Sequence, residues 1–160
     1  MARYNRIFAA LDGGQTQEAV TRRALSIAHD NNAEVVLGHV IDSVPYEANG
    51  IDFGALIEDG KARLVEALEP YLTRAQGDEC IPSVDVQVRA GRVSETLVEA
   101  LIEPFEPDLV ICGVRGLSSI KYAFVGSVST YLIRHMKCDV LVVRPEVIED
   151  VDYTEYTDYE

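Results

Sequence analysis

The sequence predicts an α/β protein with a doubly wound, five-stranded parallel sheet, Rossmann-like, with helices on both faces. Three observations support this fold class: five short apolar runs, segments of helical period between them, and nearly continuous apolarity in several of the runs. Right-handed crossovers between parallel strands leave few arrangements, and we expect the strand order 3-2-1-4-5.

Each apolar run has the length and composition of a strand. The runs are RIFAAL (6–11), EVVLGHV (34–40), VDVQVRA (84–90), DLVICG (108–113) and DVLVVR (139–144). The second, fourth and fifth are almost continuously apolar, which is typical of parallel strands covered on both faces. The third alternates strictly, which indicates a strand with one solvated face or a strand at the sheet edge.

Four segments between the runs have helical period: 16–31, 53–76, 92–105 and 127–135. Thr16 can cap the first helix, and Pro104 with Pro107 ends the third. Residues 42–54 show no clear period. They predict a loop long enough to act as a lid or a partner surface.

Chain length and net charge limit the classes of protein to which this sequence can belong. A chain of 160 residues fits one domain, which we place at residues 1–145, followed by an acidic, tyrosine-rich tail at 146–160. The net charge of −13 argues against nonspecific binding to nucleic acid or anionic lipid. No run approaches the roughly 18 apolar residues of a membrane span, and the first residues enter a strand pattern without a cleavable signal. We therefore expect a cytoplasmic protein with no membrane insertion.

The tail concentrates the acidity of the chain. Residues 146–160 contain seven acidic residues and no basic one. Tyr153, Tyr156 and Tyr159 recur at every third position, which would let the rings lie on a neighbouring surface while the acids stay solvated. We expect the tail to dock on a dimer partner or on a basic patch of another protein.

The stretch GVRGLSSIKYAFVGS (113–127) follows the fourth predicted strand. In a doubly wound sheet ligands bind outside the carboxyl ends of the strands where the strand order reverses, here between strands 1 and 4. The spacing G-x-x-G, nine residues, G-S is neither a Walker A loop nor a dinucleotide turn. Gly113 and Gly116 allow close backbone approach, and Gly126 with Ser127 opens a helix whose amides attract anions. The residues alone indicate a phosphate site or ordinary turn chemistry.

The segment GVRGLSSIKYAFVGSVSTYLIRHMKCDVLVVRP resembles the C-terminal signature of the universal stress protein family. RIFAALDG resembles the family's first strand, which closes on an aspartate, and the resemblance covers roughly residues 3–145. The intact glycine motif is similar to that of the ATP-binding subgroup. The resemblance therefore implies ATP as the bound cofactor.

The resemblance also implies roles for single residues. Asp12 would contact the ribose or a magnesium ion, and the backbone of Val40 would read the adenine edge. Ala10 and Cys112 would line the base and sugar pocket. The residues implied for ribose and phosphates are Gly113, Arg115, Gly116, Gly126, Ser127, Val128 and Ser129. Where the family often has Asp-Gly-Ser, this chain has Asp12-Gly13-Gly14 and so lacks a hydroxyl.

The function expected from these observations is that of a nucleotide-responsive regulator or stress-adaptation protein rather than a fast enzyme. The alternatives are a slow ATPase or self-phosphorylating protein, a sensor of AMP or cyclic AMP, and a ligand-free structural dimer. The last strand is an apolar edge in the order 3-2-1-4-5. We therefore expect a homodimer through this strand, with Val140 and Val142 at the contact.

The histidines and cysteines show no spacing typical of a zinc site, a catalytic triad or a disulfide framework. They are His29, His39, His135, Cys80, Cys112 and Cys138. His39 lies in an apolar strand and is expected to be a core or pocket-edge residue.

Overall fold

Strands and helices alternate along the chain. The computed structural model describes residues 3–14, 16–48, 50–114 and 127–144. The strands of the described residues are β1 (Arg6–Leu11), β2 (Glu34–Asp42), β3 (Val84–Gly91), β4 (Leu109–Gly113) and β5 (Asp139–Val143). The helices are α1 (Gln17–Asn31), α2 (Phe53–Gln76), α3 (residues 93–105) and α4 (Ser127–His135), with a short 3₁₀ turn at Val44–Tyr46.

All five strands pair in parallel in the order β3-β2-β1-β4-β5. The predicted fold class and strand order are therefore confirmed. β1 lies in the middle, where Ile7 faces Val35 of β2 on one side and Leu109 of β4 on the other. The strand order reverses between β1 and β4, and this places the ends of these two strands side by side.

Helices cover both faces of the sheet. On one face α1 and α2 pack over a core that includes Ile7, Leu37 and Ile111. On the other face α3 and α4 pack over Phe8 and Val110. The helix α1 presents small residues to the sheet, since Ala19, Ala24 and Ala28 are buried, and small side chains allow close approach of a helix to a strand.

The helix α3 is widened in its middle. It is α-helical at Val93–Thr96, π-helical at Leu97–Ile102 and α-helical again at Glu103–Phe105. Pro104 lies just after the wide turn. Because proline lacks an N–H and its ring clashes with the carbonyl four residues earlier, a wide turn relieves the clash. The helix ends at Phe105, as predicted, and Glu106 follows with a left-handed φ of 53°.

The predicted capping role of Thr16 is wrong in its detail. Thr16 occupies the N-cap position of α1, but its side chain makes no capping hydrogen bond and is buried. Its backbone is in the right-handed helical region, whereas a capping side chain normally belongs to an extended residue. Asp52 has that geometry at the start of α2, where it accepts hydrogen bonds from the amides of Gly54 and Ala55.

One close contact inside the sheet requires glycine at position 38. A Cβ on Gly38 would lie 2.3 Å from Cζ of Phe8, a fully buried ring on the adjacent strand. The glycine in EVVLGHV therefore makes room for the largest residue of this core.

The predicted acidic tail at 146–160 lies outside the described residues, so its docking and its boundary at residue 145 stay predictions. Within the described ranges, no helix combines the length and apolarity needed to cross a bilayer.

Candidate functional site

A cavity of about 340 Å³ opens at the carboxyl edge of the sheet, beside the reversal between β1 and β4. Its walls come from the ends of β1, β2 and β4, from the 3₁₀ turn, and from α3 and α4. The lining residues are Ala10, Leu11, Asp12, His39, Val40, Ile41, Asp42, Pro45, Tyr46, Val93, Leu97, Cys112, Gly113, Val128 and Ser129. The size is within the range of small-molecule sites, which is roughly 300–1,000 Å³.

Seven of the eleven residues implied by the family resemblance line the cavity: Ala10, Asp12, Val40, Cys112, Gly113, Val128 and Ser129. Ser127 begins α4 and is exposed, and it is not among the lining residues. Arg115, Gly116 and Gly126 lie outside the described residues. The fold thus brings together residues from four separate stretches of sequence.

The loop after β1 is held by its aspartate. Oδ1 of Asp12 accepts a hydrogen bond from the amide of Gly14 at 2.8 Å. Gly13 has a φ of 76°, a left-handed conformation that glycine adopts without the steric cost of a Cβ. Asp12 itself is exposed. Its carboxylate is therefore presented at the cavity mouth on a short, hydrogen-bonded turn.

His39 also helps to hold the loop after β1 in place. Its Nδ1 donates a hydrogen bond to the carbonyl of Leu11 at 2.7 Å, which places the ring proton on Nδ1 when the imidazole is neutral. The side chain is half-buried and lines the cavity. The prediction of a pocket-edge histidine is confirmed, and the hydrogen bond adds a role in positioning the end of β1.

The end of β4 is tied to the first turn of α4. The hydroxyl of Ser129 donates to the carbonyl of Gly113 at 3.1 Å and accepts from the thiol of Cys112 at 3.5 Å. Both Cys112 and Ser129 are buried, and burial raises the pKa of the Cys112 thiol. The thiol is therefore kept neutral, and the Ser129 hydroxyl is engaged inside the protein.

Packing inside the protein requires glycine at position 113, whether or not a ligand is bound. A Cβ there would lie 2.5 Å from Oγ1 and 2.8 Å from Cβ of Thr16. The buried Thr16 side chain thus occupies the space beside the end of β4, and this contact brings α1 close to the strand.

The described lining of the cavity is acidic. It contains the carboxylates of Asp12 and Asp42 and the imidazole of His39, and no lysine or arginine is present among the described lining residues. The walls beside these groups are apolar, with Val40, Leu97 and others. Such a lining suits a flat, neutral ring on the apolar walls and a cation beside Asp12.

Sequence reasoning missed the part of the wall that follows β2. Residues 42–54 were expected to be a loop, and within it the 3₁₀ turn brings Pro45 and Tyr46 to the cavity. The amide of Ser43 donates to the carbonyl of Gly91 at 3.0 Å, which anchors the turn beside β3. The available signal was Tyr46, an aromatic residue in a loop that the sequence already predicted to be long enough for a lid.

Comparison with known proteins gives one family. The model of the universal stress protein family matches residues 3–144. A protein of Staphylococcus haemolyticus named as a universal stress protein is 31% identical over 153 residues, which cover 94% of this chain and 90% of that protein.

Solved structures agree on the fold. The universal stress protein UspA from Lactobacillus plantarum superposes with a TM-score of 0.74 at 24% identity, covering 90% of this chain and 100% of that one. A universal stress protein solved in complex with cAMP has a TM-score of 0.61 at 24% identity, covering 89% of this chain and 98% of that one.

We predict that Gly113→Ala destabilises the protein by about 1–3 kcal/mol, because the new methyl group overlaps the Thr16 side chain in a packed site. Thr16→Gly removes the obstructing atoms. The stability loss of the double variant should therefore be smaller than the sum of the two single losses by at least about 0.5 kcal/mol. Urea unfolding of the four proteins measures both quantities.

The matched control is Gly77→Ala. A Cβ on Gly77 would lie 3.7 Å from the carbonyl oxygens of Thr73 and Arg74, an ordinary van der Waals distance, so this variant should be nearly neutral. Strictly additive losses at positions 16 and 113 would contradict the contact.

Proposed function

Since the chain belongs to the universal stress protein family, we propose that its cavity binds an adenine nucleotide, ATP in the first place, and that the protein acts as a nucleotide-responsive regulator. The observation that carries this proposal is the gathering of Ala10, Asp12, Val40, Cys112 and Val128 around one cavity at the strand-order reversal. Open α/β sheets bind ligands at this position.

The end of β2 supports an adenine subsite. The pairing of β1 with β2 ends at Leu11 and His39, whereas β2 continues beside β3 as far as Asp42. Val40 therefore lies past the end of β1, where its backbone faces the cavity region rather than a paired residue of β1. Val40 and Leu97 add apolar surface on which a base can lie.

The start of α4 supports the phosphate end. Val128 and Ser129 lie in its first turn and line the cavity. Amides at a helix N-terminus lack intrahelical partners and attract anions. The remaining phosphate contacts proposed from the sequence are those of Ser127, the first residue of α4, and of Arg115, Gly116 and Gly126, which precede it in the sequence.

Asp12 is the residue that fits a magnesium ion. Its Oδ1 is engaged with Gly14, and its carboxylate is exposed at the cavity mouth. Magnesium in nucleotide sites is usually held by one or two carboxylates together with phosphates and water. A metal at this position would offset the repulsion between Asp12 and a phosphate chain.

A regulatory role fits the described groups better than rapid hydrolysis. Hydrolysis of ATP needs a group that positions the attacking water and strong compensation of charge at the γ-phosphate. Among the described lining residues, His39 is directed by its Nδ1 to the carbonyl of Leu11, and the other ionisable groups include two carboxylates. We propose that nucleotide occupancy, rather than turnover, is the signal. Cytoplasmic localisation stays a prediction from the sequence.

A second copy of the chain is proposed as a partner through β5. This strand is at the end of the sheet order, and Val140 and Val142 are only partly buried. A sheet edge with apolar residues is a template for pairing with another strand.

We predict that saturating ATP with Mg²⁺ stabilises the folded protein. At ~100 times the dissociation constant a ligand adds about 2.7 kcal/mol, which should raise the melting midpoint by roughly 5–10 °C. Ala10→Leu should abolish this gain, because Ala10 lines the cavity and the larger side chain fills it. Ala100→Leu adds the same atoms on the exposed side of α3 and should keep the gain.

The same samples separate the alternatives. A larger shift with AMP or cyclic AMP than with ATP would favour a sensor of those nucleotides, and loss of label from γ-labelled ATP would favour a slow ATPase or self-phosphorylating protein. An unchanged melting midpoint with all three nucleotides would mean that the nucleotide proposal is wrong.

We predict that ATP binding depends on Mg²⁺ through Asp12. Removing Mg²⁺ with EDTA should weaken wild-type binding by about tenfold, which corresponds to about 1.4 kcal/mol. Asp12→Asn keeps the acceptor for Gly14 but removes the charge, so titration calorimetry should show little difference with and without Mg²⁺. Asp42→Asn is the control and should keep the dependence. Equal dependence in both variants would exclude Asp12 as the metal ligand.

We predict a homodimer in sedimentation velocity at tens of micromolar. Val142→Lys should give monomers, because it adds charge at the proposed strand pairing. Val65→Lys changes an exposed valine on α2 and should leave the dimer intact. A wild-type protein that sediments as a monomer at this concentration would refute the pairing.

A further inference from the structure

Three metal-ligating side chains meet at the amino edge of the sheet, opposite the cavity. They are His29 in the last turn of α1, and Asp78 and Cys80 in the turn after α2. One ligand atom from each lies within 4.8 Å of the others, and no second such group occurs among the described residues. Asp78 and Cys80 follow His29 by 49 and 51 residues in the sequence. No short sequence motif therefore indicates the group.

The turn that carries Asp78 and Cys80 is held by the backbone. The amide of Asp78 donates to the carbonyl of Ala75 at 3.1 Å, and the amide of Ile81 donates to the carbonyl of Asp78 at 3.1 Å. Oδ1 of Asp78 accepts from the amide of Cys80 at 2.9 Å. The carboxylate is thereby fixed with its other oxygen, Oδ2, at 2.6 Å from Nδ1 of His29.

We infer that His29, Asp78 and Cys80 form a zinc site that clamps the end of α1 to the turn before β3. Imidazole nitrogen, carboxylate oxygen and thiolate sulfur are the ligand types of zinc, and three of them with one open position for water make a known coordination. A thiolate and a carboxylate together balance the charge of Zn²⁺. Magnesium and calcium prefer oxygen ligands alone, so this set selects against them.

The distances suit zinc after small side-chain movements. Bonds of about 2.0–2.3 Å in a tetrahedral site place ligand atoms about 3.3–3.8 Å apart. The most separated atoms, at up to 4.8 Å, close by rotation about side-chain bonds. Nδ1 of His29 and Oδ2 of Asp78 lie 2.6 Å apart, so they need to separate by only ~0.7 Å to reach this spacing.

The ion can reach the site from solution. The side chain of His29 is 53% exposed and that of Asp78 is 23% exposed. A cavity of about 420 Å³ between α1 and α2 is lined by both residues, together with Arg22 and Arg74, and gives a route from solvent to the site.

The site is separate from the proposed nucleotide site. The helix α1 rises through 12 residues from Gln17, at the cavity edge of the sheet, to His29 at the opposite edge, a distance of about 18 Å at 1.5 Å per residue. Zinc binding and nucleotide binding can therefore be tested independently.

The test uses the full-length, reduced protein with cobalt as a spectroscopic probe. We expect one Co²⁺ per chain with a thiolate-to-cobalt charge-transfer band in the near ultraviolet, displaced by one equivalent of Zn²⁺. Cys80→Ser should remove the band. His29→Gln and Asp78→Asn should weaken zinc binding at least about tenfold in calorimetry, whereas Cys138→Ser, at the other partly buried thiol, should change neither result.

Stability gives a second readout. Saturating Zn²⁺ should raise the melting midpoint of the wild type by roughly 5–10 °C, reversed by EDTA, and should not do so for Cys80→Ser. His29→Gln alters an exposed side chain, so it tests the site even where another variant folds poorly. Binding without a thiolate band, a band that persists in Cys80→Ser, or no stoichiometric binding would overturn the site.

Discussion

The position of β1 between β2 and β4 is the constraint on which the rest of the structure depends. Ile7, Phe8 and Ala9 have 0% exposure and are paired on both sides, so β1 must be apolar on both faces. The chain leaves β1 into α1 on one face and reaches α4 on the other face after β4. Because these connections diverge, an opening remains between the strand ends, and the cavity occupies it.

Close packing explains a glycine that a ligand-based interpretation would assign to binding. Gly113 belongs to the glycine motif, and yet its missing Cβ makes room for the buried Thr16 side chain. Gly38 similarly leaves space for Phe8. At such positions a side chain fails for steric reasons even without a ligand. A glycine in a motif therefore indicates bare backbone, and only its neighbours in space show which contact requires it.

Elements with a strong period could be predicted from the sequence almost residue by residue, and contacts between distant elements could not. The apolar runs located β1 and β4, and the helical period located α2 at Phe53–Gln76. The gathering of Ala10, Val40 and Cys112 followed from the strand order with the family resemblance. The contribution of Tyr46 was missed because a 3₁₀ turn has no period, and the approach of His29 to Cys80 was missed because 51 positions separate them.

Charge balance limits how the proposed site can hold a nucleotide. The chain carries a net charge of −13, and the cavity is lined by Asp12 and Asp42. A phosphate charge about 4 Å from an exposed carboxylate such as Asp12 costs from about 1 kcal/mol in bulk water to about 4 kcal/mol at an effective dielectric constant of about 20. A helix N-terminus returns roughly 0.3–1 kcal/mol, rising to about 2 kcal/mol where it is partly buried. The amides at the start of α4 therefore offset only part of the larger of these repulsions. In the proposed complex, a divalent cation between Asp12 and the phosphates would offset this repulsion, so we expect the metal to contribute to nucleotide affinity in this acidic cavity.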